Sequence, residues 1–517
     1  LPWSEVYVEG QQSPAGTPGG VEGDLPRGAG AVRGQDPGRS RATFRWRAGN
    51  RSGPFPNGES SRPGPAGSTE LSDSSDLSHQ SDPNGGTGNS GAGADGGAGG
   101  GFGGNGGSDR PRGAEGGERG RLRSAAAALT SLMALAATSL VAGPAVAKTS
   151  SASCALPRTQ AHHSLGLDSW NAAYPRPRDV LDAVMVFLSF PDATPKYEPA
   201  ELAADHFPAT SRFFARASYG QFSLRAHPQR TWVRMPRPST AYGISRDWAP
   251  EKRGAYLREA LSAADSTVDF SAYDIVYLVA DPEAPGVDSD ATKVVNLDRP
   301  MSIDGSQVRR VVTVFERHPP DRNVLAHETG HVFDLPDLYH RPTDGKGDWD
   351  TYVGDWDVMG SQFGMAPDLF GWHKWKLGWL PGRAVRCITR PELISLESMG
   401  APAPGGSLGT RLAVVRTGPS TALAIEARGA TGNDKTLCTE GVLLYRVRAD
   451  AVSGGGPIEV VDTHPRSEAC WDRSVYPELA DAPLGVGETF TVPGGGTRVE
   501  VADRSASGAW TVKITTS

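Results

Sequence analysis

The chain has 517 residues, 38% of them hydrophobic, and its 65 glycines and 41 prolines are too many to be spread through uniformly packed cores, so that bias must be local. A formal net charge of −7 at pH 7 argues against nucleic acid or an anionic membrane surface as a partner.

Residues 1–120 hold most of the bias: Gly-Pro-Ser-Arg-rich text that ends in GGTGNSGAGADGGAGGGFGGNGG, with few branched aliphatic residues to offset the entropy of ordering. We expect a disordered extension. Glycine-spaced nucleotide fingerprints arise there from composition alone, with no strand before them and no helix after. Next comes RGRLRSAAAALTSLMALAATSLVAGPAVAKTS, with Arg119, Arg121 and Arg123, an apolar run, a Gly-Pro break and Ala145-Val146-Ala147. This is the pattern of a secretory signal peptide over 121–147, with cleavage expected near Ala147. Signal peptides work at an N-terminus and this chain starts with Leu1, so translation is expected to begin near Leu122. The competing reading, an uncleaved membrane anchor, suits the Ala-rich, weakly hydrophobic run and its small-residue cleavage site less well.

A mature N-terminal segment, 148–178, follows. All four cysteines, Cys154, Cys387, Cys438 and Cys470, lie beyond the signal peptide, and an even number in an exported chain favours disulfides over metal thiolates. Of the three pairings we favour Cys438 with Cys470, flanking one β segment, and Cys154 with Cys387, tying the N-terminus to a domain junction. Cys154 as a latency thiolate on a metal is the alternative, and it strands Cys387. His162 and His163 could assist metal binding, although a pair in a polar stretch is expected to be exposed.

From 179 to 382 the text alternates as an α/β layer does. VLDAVMVFLSF reads as a buried strand, PAELAADHFPATSRFFARAS as a helix, AYLREALSAADS has helical spacing, and YDIVYLVA and RRVVTVF are further strands separated by a mostly polar loop. The expectation is a mixed sheet with helices packed on it. Over 383–517 the runs TRLAVVR, TALAIEAR, GVLLYRVRA, PIEVVD, ETFTV, RVEVAD and AWTVKI, spaced by Gly, Pro and Asp, predict an all-β, sandwich-like domain.

The chemistry concentrates in PPDRNVLAHETGHVFDLPDLY. Pro319 and Pro320 precede Asp321, an expected N-cap, and Val324, Leu325, Val332 and Phe333 mark the apolar positions of a helix. Four residues separate His327 from His331, so both imidazoles leave one face a turn apart and can share a tetrahedral ion. Glu328 can take a proton from a metal-activated water and pass it to a leaving amine. A catalytic zinc needs one further protein ligand. The extended metzincin pattern puts it six residues after the second histidine, at Asp337, with Asp334 at the turn position where glycine is common. Asp334 itself falls only three residues after His331 and has little freedom to reach the ion. In GDWDVMGSQ, Met359 stands at a plausible distance for the methionine turn beneath such a site.

These residues resemble the immune inhibitor A family of secreted bacterial metallopeptidases: HETGHVFDLPDLY, WDVMG and FGWHKWKLGWL carry the likeness, and ARASYGQFSLRA and FSAYDIVYLVA are similar to earlier family segments. The resemblance covers 179–382 well and the β region more loosely. It implies a metzincin-like catalytic domain, with His327, His331 and Asp337 as zinc ligands, Glu328 as general base and Met359 under the site. Two departures stand out: Asp334 replaces glycine, and Ser361 stands where some metzincins place an assisting tyrosine. That leaves the oxyanion stabiliser unassigned, with Tyr339 and Tyr352 as weak candidates.

Two further constellations carry less. RPTDGKGDWDTYVGDWD offers Asp344, Asp348, Asp350, Asp355 and Asp357 as candidate calcium ligands, although such a run is commonly a solvated loop and matches no EF-hand spacing. GGSLG, 405–409, matches a serine-hydrolase elbow in letters only, since Ser407 precedes a strand in a Pro-Gly loop. The expectation is therefore a secreted, monomeric zinc endopeptidase acting on extracellular proteins or peptides, without nucleic acid and without stable membrane insertion. The alternatives are a secreted binding or adhesion protein on the same scaffold, and an enzyme that draws its last ligand from a distant glutamate.

Overall fold

The computed structural model describes residues 151–516 except 304, 322, 343–346 and 404–407. The N-terminal extension, the signal peptide, Asp344 and Ser407 lie outside the described residues. Among the described residues no helix is long and apolar enough to cross a membrane.

Strand β1 (Asp179–Ser189) is buried along nearly its whole length. Its side chains alternate between two cores. Ala183, Met185 and Phe187 join one, while Val184, Val186 and Leu188 join the other, which accounts for an unbroken apolar run. β1 lies in a five-stranded sheet with β2 (Phe222–Arg234), β3 (Ile275–Ala280), β4 (Lys293–Ile303) and β5 (Ser306–Val314), in the order β2-β1-β3-β5-β4. All neighbours are parallel except β4, which runs antiparallel to β5 at one edge.

Helices α1 (Pro199–His206) and α2 (Ala209–Ala217) contribute Leu202, Phe213 and Phe214 to the first core; α3 (Pro250–Ala264) contributes Tyr256, Leu257 and Leu261 to the second. The single helix expected over 199–218 is thus two. Pro208 has no amide hydrogen to continue the ladder and its ring crowds the preceding turn. The polar loop expected between YDIVYLVA and RRVVTVF contains β4, of which only Lys293, Val294 and Val295 are buried. An edge strand with one wet half carries no apolar run, and Pro300 falls where its pairing with β5 shifts register. β2 is hidden in the same way, by alternation with charged and polar residues at the opposite edge.

The next helix, α4 (Val324–Val332), carries the two histidines. Its N-cap is Asn323 at φ 60°, not Asp321, because the Val324 amide bonds to the carbonyl of Asp321 across a turn before the helix starts. Phe333, just past the helix, sits with its ring centroid 5.4 Å from both Phe214 and Phe222, which pins the helix end to the first core. Helix α5 (Gly371–Leu377) ends at Gly378, φ 82°. The indole N–H of Trp372 bonds to the Leu165 carbonyl at 2.9 Å and that of Trp379 to the Pro177 carbonyl at 2.7 Å, so the N-terminal segment is stitched to α5.

Beyond α5 the chain is largely β. Strands β6 (Val385–Cys387), β8 (Leu412–Arg416), β9 (Thr421–Arg428), β10 (Gly441–Arg448) and β11 (Ile458–Val460) form a sheet in the order β11-β10-β9-β8-β6; short helix α6 spans Pro477–Ala480. The other sheet, β12-β13-β14-β7, uses β7 (Glu392–Leu396), β12 (Thr489–Thr491), β13 (Arg498–Arg504) and β14 (Trp510–Thr515). Ile394, Val415, Ile425, Leu444, Val499 and Val512 fill the space between them, as in a sandwich. The outer face of the first sheet is covered too: Val414, Ala424, Leu443 and Tyr445 join the core that holds Phe370, Trp372 and Leu325. Cys154 is bonded to Cys387 with Cα atoms 5.8 Å apart, and Cys438 to Cys470 at 6.3 Å, as favoured from the sequence. Cys154 therefore carries no thiolate toward the histidines.

Candidate metal centre

Every residue of α4 is buried, so its two histidines and its glutamate lie in the interior. The Nδ1 of His327 is 2.8 Å from the carbonyl oxygen of Val358, and that of His331 is 2.8 Å from the carbonyl oxygen of Leu335. A carbonyl only accepts, so each Nδ1 carries the hydrogen and each Nε2 presents a lone pair. The two Nε2 atoms face each other at 3.2 Å. Asp337 Oδ1 completes the triangle, 3.4 Å from His327 Nε2 and 3.1 Å from His331 Nε2. Three acceptors this close repel one another unless a cation or a proton lies between them. Among the described residues, His327, His331 and Asp337 are the group of three such donors close enough to share an ion.

Asp337 reaches this position through a turn. The Asp334 amide bonds to the His331 carbonyl and the Leu335 amide to the Gly330 carbonyl, each at 3.1 Å, and Asp334 has φ 63°. This is a Schellman ending with aspartate in the left-handed position that glycine fills at least cost. The carboxylate explains the choice. Asp334 Oδ2 is 3.1 Å from Lys376 Nζ on α5 and 3.1 Å from Arg158 Nη1, and His163 Nδ1 lies 2.8 Å from Oδ1. The Lys376 ammonium also donates to the Asp334 carbonyl. Burial alone pushes the Asp334 carboxyl up, but Lys376, the His163 hydrogen bond and Arg158 outweigh it and hold it well below the ordinary range. His163, expected to be exposed, is thus buried, and its ring stacks 5.9 Å from that of His331.

Met359 packs against Gly330 of α4. A Cβ placed on Gly330, between the two histidines on the helix, would run into the Met359 sulphur, and the Leu338 amide bonds to the Met359 carbonyl at 3.0 Å. Asp357 organises this turn by accepting from the Met359 amide at 2.8 Å, the Phe370 amide at 2.6 Å and His373 Nδ1 at 3.0 Å. Asp355 likewise accepts from the Met365 amide at 3.1 Å and from Ser474 Oγ at 3.3 Å. These two of the five candidate calcium ligands thus hold backbone and side-chain hydrogens. Asp348 accepts from the Asp350 amide, and burial pushes the Asp350 carboxyl up to about 7.

Glu328 is 1% exposed. Its Oε2 accepts from the Val294 amide at 2.7 Å, on the edge strand β4, while Oε1 is buried and makes no hydrogen bond to the described residues. Burial raises its pKa, opposed by the two histidines. The Tyr339 ring stacks on His327 with centroids 6.4 Å apart, whereas Tyr352 packs against His340. Ser361 is buried and its amide bonds to the Asp357 carbonyl at 3.1 Å.

The three residues named from the sequence converge here, and the groups that hold them carry no such signal. The Val294 amide, Arg158, Lys376 and Ser453, whose Oγ is 3.0 Å from Asp337 Oδ2, come from distant segments without a motif of their own. The sequence matches no protein-family model and no curated protein. Among solved structures it is similar to a catalytically inactive OgpA from Akkermansia muciniphila in complex with an O-glycopeptide substrate, at 10% identity over 68% of this chain and 95% of that one. The TM-score is 0.21, too low to indicate a common fold, so the reading of the site rests on its own geometry.

Proposed function

We propose that the chain is a secreted zinc-dependent endopeptidase of metzincin type, with His327, His331 and Asp337 as ligands and Glu328 as general base. The observation that carries this is the convergence of two imidazole lone pairs and one carboxylate oxygen, with Glu328 Oε1 buried and unbonded among the described residues. A nitrogen and oxygen donor set of this size suits zinc with a coordination position left for water. Zinc bound there would supply a Lewis acid for the scissile carbonyl and would lower the pKa of the attacking water.

The protein's own groups do the rest. Glu328, its Oε2 held by the Val294 amide, offers Oε1 to take the proton from that water and to deliver it to the departing amine. The backbone carbonyls of Val358 and Leu335 fix both imidazole tautomers, so the ring orientations need no adjustment on binding. Met359 fills the space under Gly330 and keeps the helix at its height above the turn. Two disulfides and the signal-peptide pattern support an extracellular setting, with proteins or peptides as substrates.

Metal analysis of the purified protein, with and without dialysis against a chelator, tests this reading. Stoichiometric zinc, and casein hydrolysis that is lost on chelation and restored by added zinc, are expected. Protein that binds no divalent metal, or hydrolysis indifferent to chelator, would contradict it.

A further inference from the structure

Asp337 is gripped by a loop 116 residues farther along the chain. β10 ends at Arg448 and β11 begins at Ile458, and the connection between them meets the turn that follows α4. The Ser453 hydroxyl makes two bonds to one residue: Oγ accepts from the Asp337 amide at 2.8 Å and donates to Asp337 Oδ2 at 3.0 Å. An amide can only donate, so the hydroxyl hydrogen is free to point at the carboxylate. Oδ2 is thereby committed to Ser453, and Oδ1 is the oxygen turned to the two imidazoles.

The loop is itself fixed. The Gly454 amide bonds to the Asp337 carbonyl at 3.0 Å and the Arg341 amide to the Gly454 carbonyl at 3.2 Å, so the loop is laced to both ends of 337–341. Gly454 has φ 72°, a conformation that a side chain would strain. Behind it the Arg448 guanidinium donates to the carbonyls of Gly455 at 2.9 Å and Gly456 at 2.7 Å and pairs with Glu459 at 2.7 Å. From the N-terminal segment, the hydroxyls of Thr159 and Ser164 donate to the Ala449 carbonyl at 2.6 and 2.7 Å.

We propose that Ser453 is a positioning residue of the metal centre, which selects the oxygen that Asp337 offers to the ion, so that the β sandwich supplies part of the site. The proposal rests on the reading of His327, His331 and Asp337 as the ligand set. Without the hydroxyl the carboxylate loses the bond that sets its two oxygens apart. Outer partners of ligating groups typically change metal affinity by about 10- to 100-fold when removed.

The test compares the whole protein with Ser453→Ala and Ser453→Thr. Zinc affinity is measured by competition with a chromophoric chelator, the visible absorption of the cobalt-substituted protein is recorded, and thermal midpoints are taken after metal removal. The expected result is zinc binding weakened about 10- to 100-fold and a shifted cobalt spectrum in Ser453→Ala, near-normal behaviour in Ser453→Thr, and similar metal-free midpoints for all three. Unchanged affinity and spectrum in Ser453→Ala would overturn the proposal while leaving the ligand set standing. Equal losses in both variants that track a lowered metal-free midpoint would also overturn it, as a purely structural role. If the unaltered protein takes up no zinc, the ligand reading fails and this one with it.

Discussion

Asp334 Oδ2 and Lys376 Nζ lie 3.1 Å apart in the interior, joining the turn that delivers Asp337 to the helix of the WHKWKLGW segment. A left-handed aspartate costs on the order of 1 kcal/mol over glycine, a cost set against the three charged partners of its carboxylate. Removing Lys376 leaves the buried carboxylate with Arg158 and His163. Lys376→Met is therefore expected to destabilise the protein by about 1.5–3 kcal/mol, the range of a hydrogen bond to a charged group, and Asp334→Gly to destabilise it as well, despite the easier turn. Urea unfolding of the metal-free protein measures both. An Asp334→Gly variant more stable than the parent would show that the turn geometry, and not the charge network, decides this position.

The same carboxylate sets a pH dependence. Because the folded state holds the Asp334 pKa below its ordinary value of 3.8, its contribution is fully present above that value. It is lost as the pH falls below about 4, where the unfolded chain binds a proton that the folded one resists. Asp334→Asn should flatten the acid limb of stability against pH. Unfolding midpoints collected between about pH 3 and 6 check it, and parallel curves for the two proteins would contradict it.

Glu316 behaves in the opposite sense. It is 7% exposed, its Oε1 is buried without a hydrogen bond to the described residues, and burial pushes its pKa up to about 7 from 4.5. Here the folded state binds the proton more tightly, so stability is highest at low pH and declines between 4.5 and about 7. Glu316→Gln should raise stability at pH 8 by on the order of 3 kcal/mol and change it little at pH 4. Equal effects at both pH values would rule out this cause.

Gly330 and Met359 form a steric pair on the histidine-bearing helix. Gly330→Ala should destabilise by about 1–3 kcal/mol through overpacking and weaken zinc binding by moving the helix. Met359→Ala alone opens a cavity, and the double variant should recover part of the Gly330→Ala loss. Strict additivity in a double-mutant cycle would mean that the two do not touch.

How far the sequence could be read depended on the distance between interacting residues. His327, Glu328 and His331 share one helix, and Asp337 follows through a single turn, so local spacing suffices to propose them. β1, β3 and β5 are buried on both faces and announce themselves as apolar runs. The edge strands β2 and β4 alternate with solvent and do not. Yet β4 supplies the amide that holds Glu328, through the contact between Val294 and Glu328, which the antiparallel edge pairing of β4 with β5 creates and no motif encodes. His163 shows the same limit: it lies 171 residues from Asp334, and its polar neighbours point to exposure. Of the aspartates of 341–357, Asp355 and Asp357 are turned inward to hold backbone amides, which their spacing does not announce.

Glu328 is the proton acceptor on which the proposed hydrolysis depends. Casein hydrolysis and zinc content should be measured together for the purified protein and for Glu328→Ala. Stoichiometric zinc is expected in both, with a rate lower by about 10²- to 10⁴-fold in the variant, because the proton acceptor has been removed. Equal hydrolysis by the two proteins, or none by either with zinc bound, would contradict it.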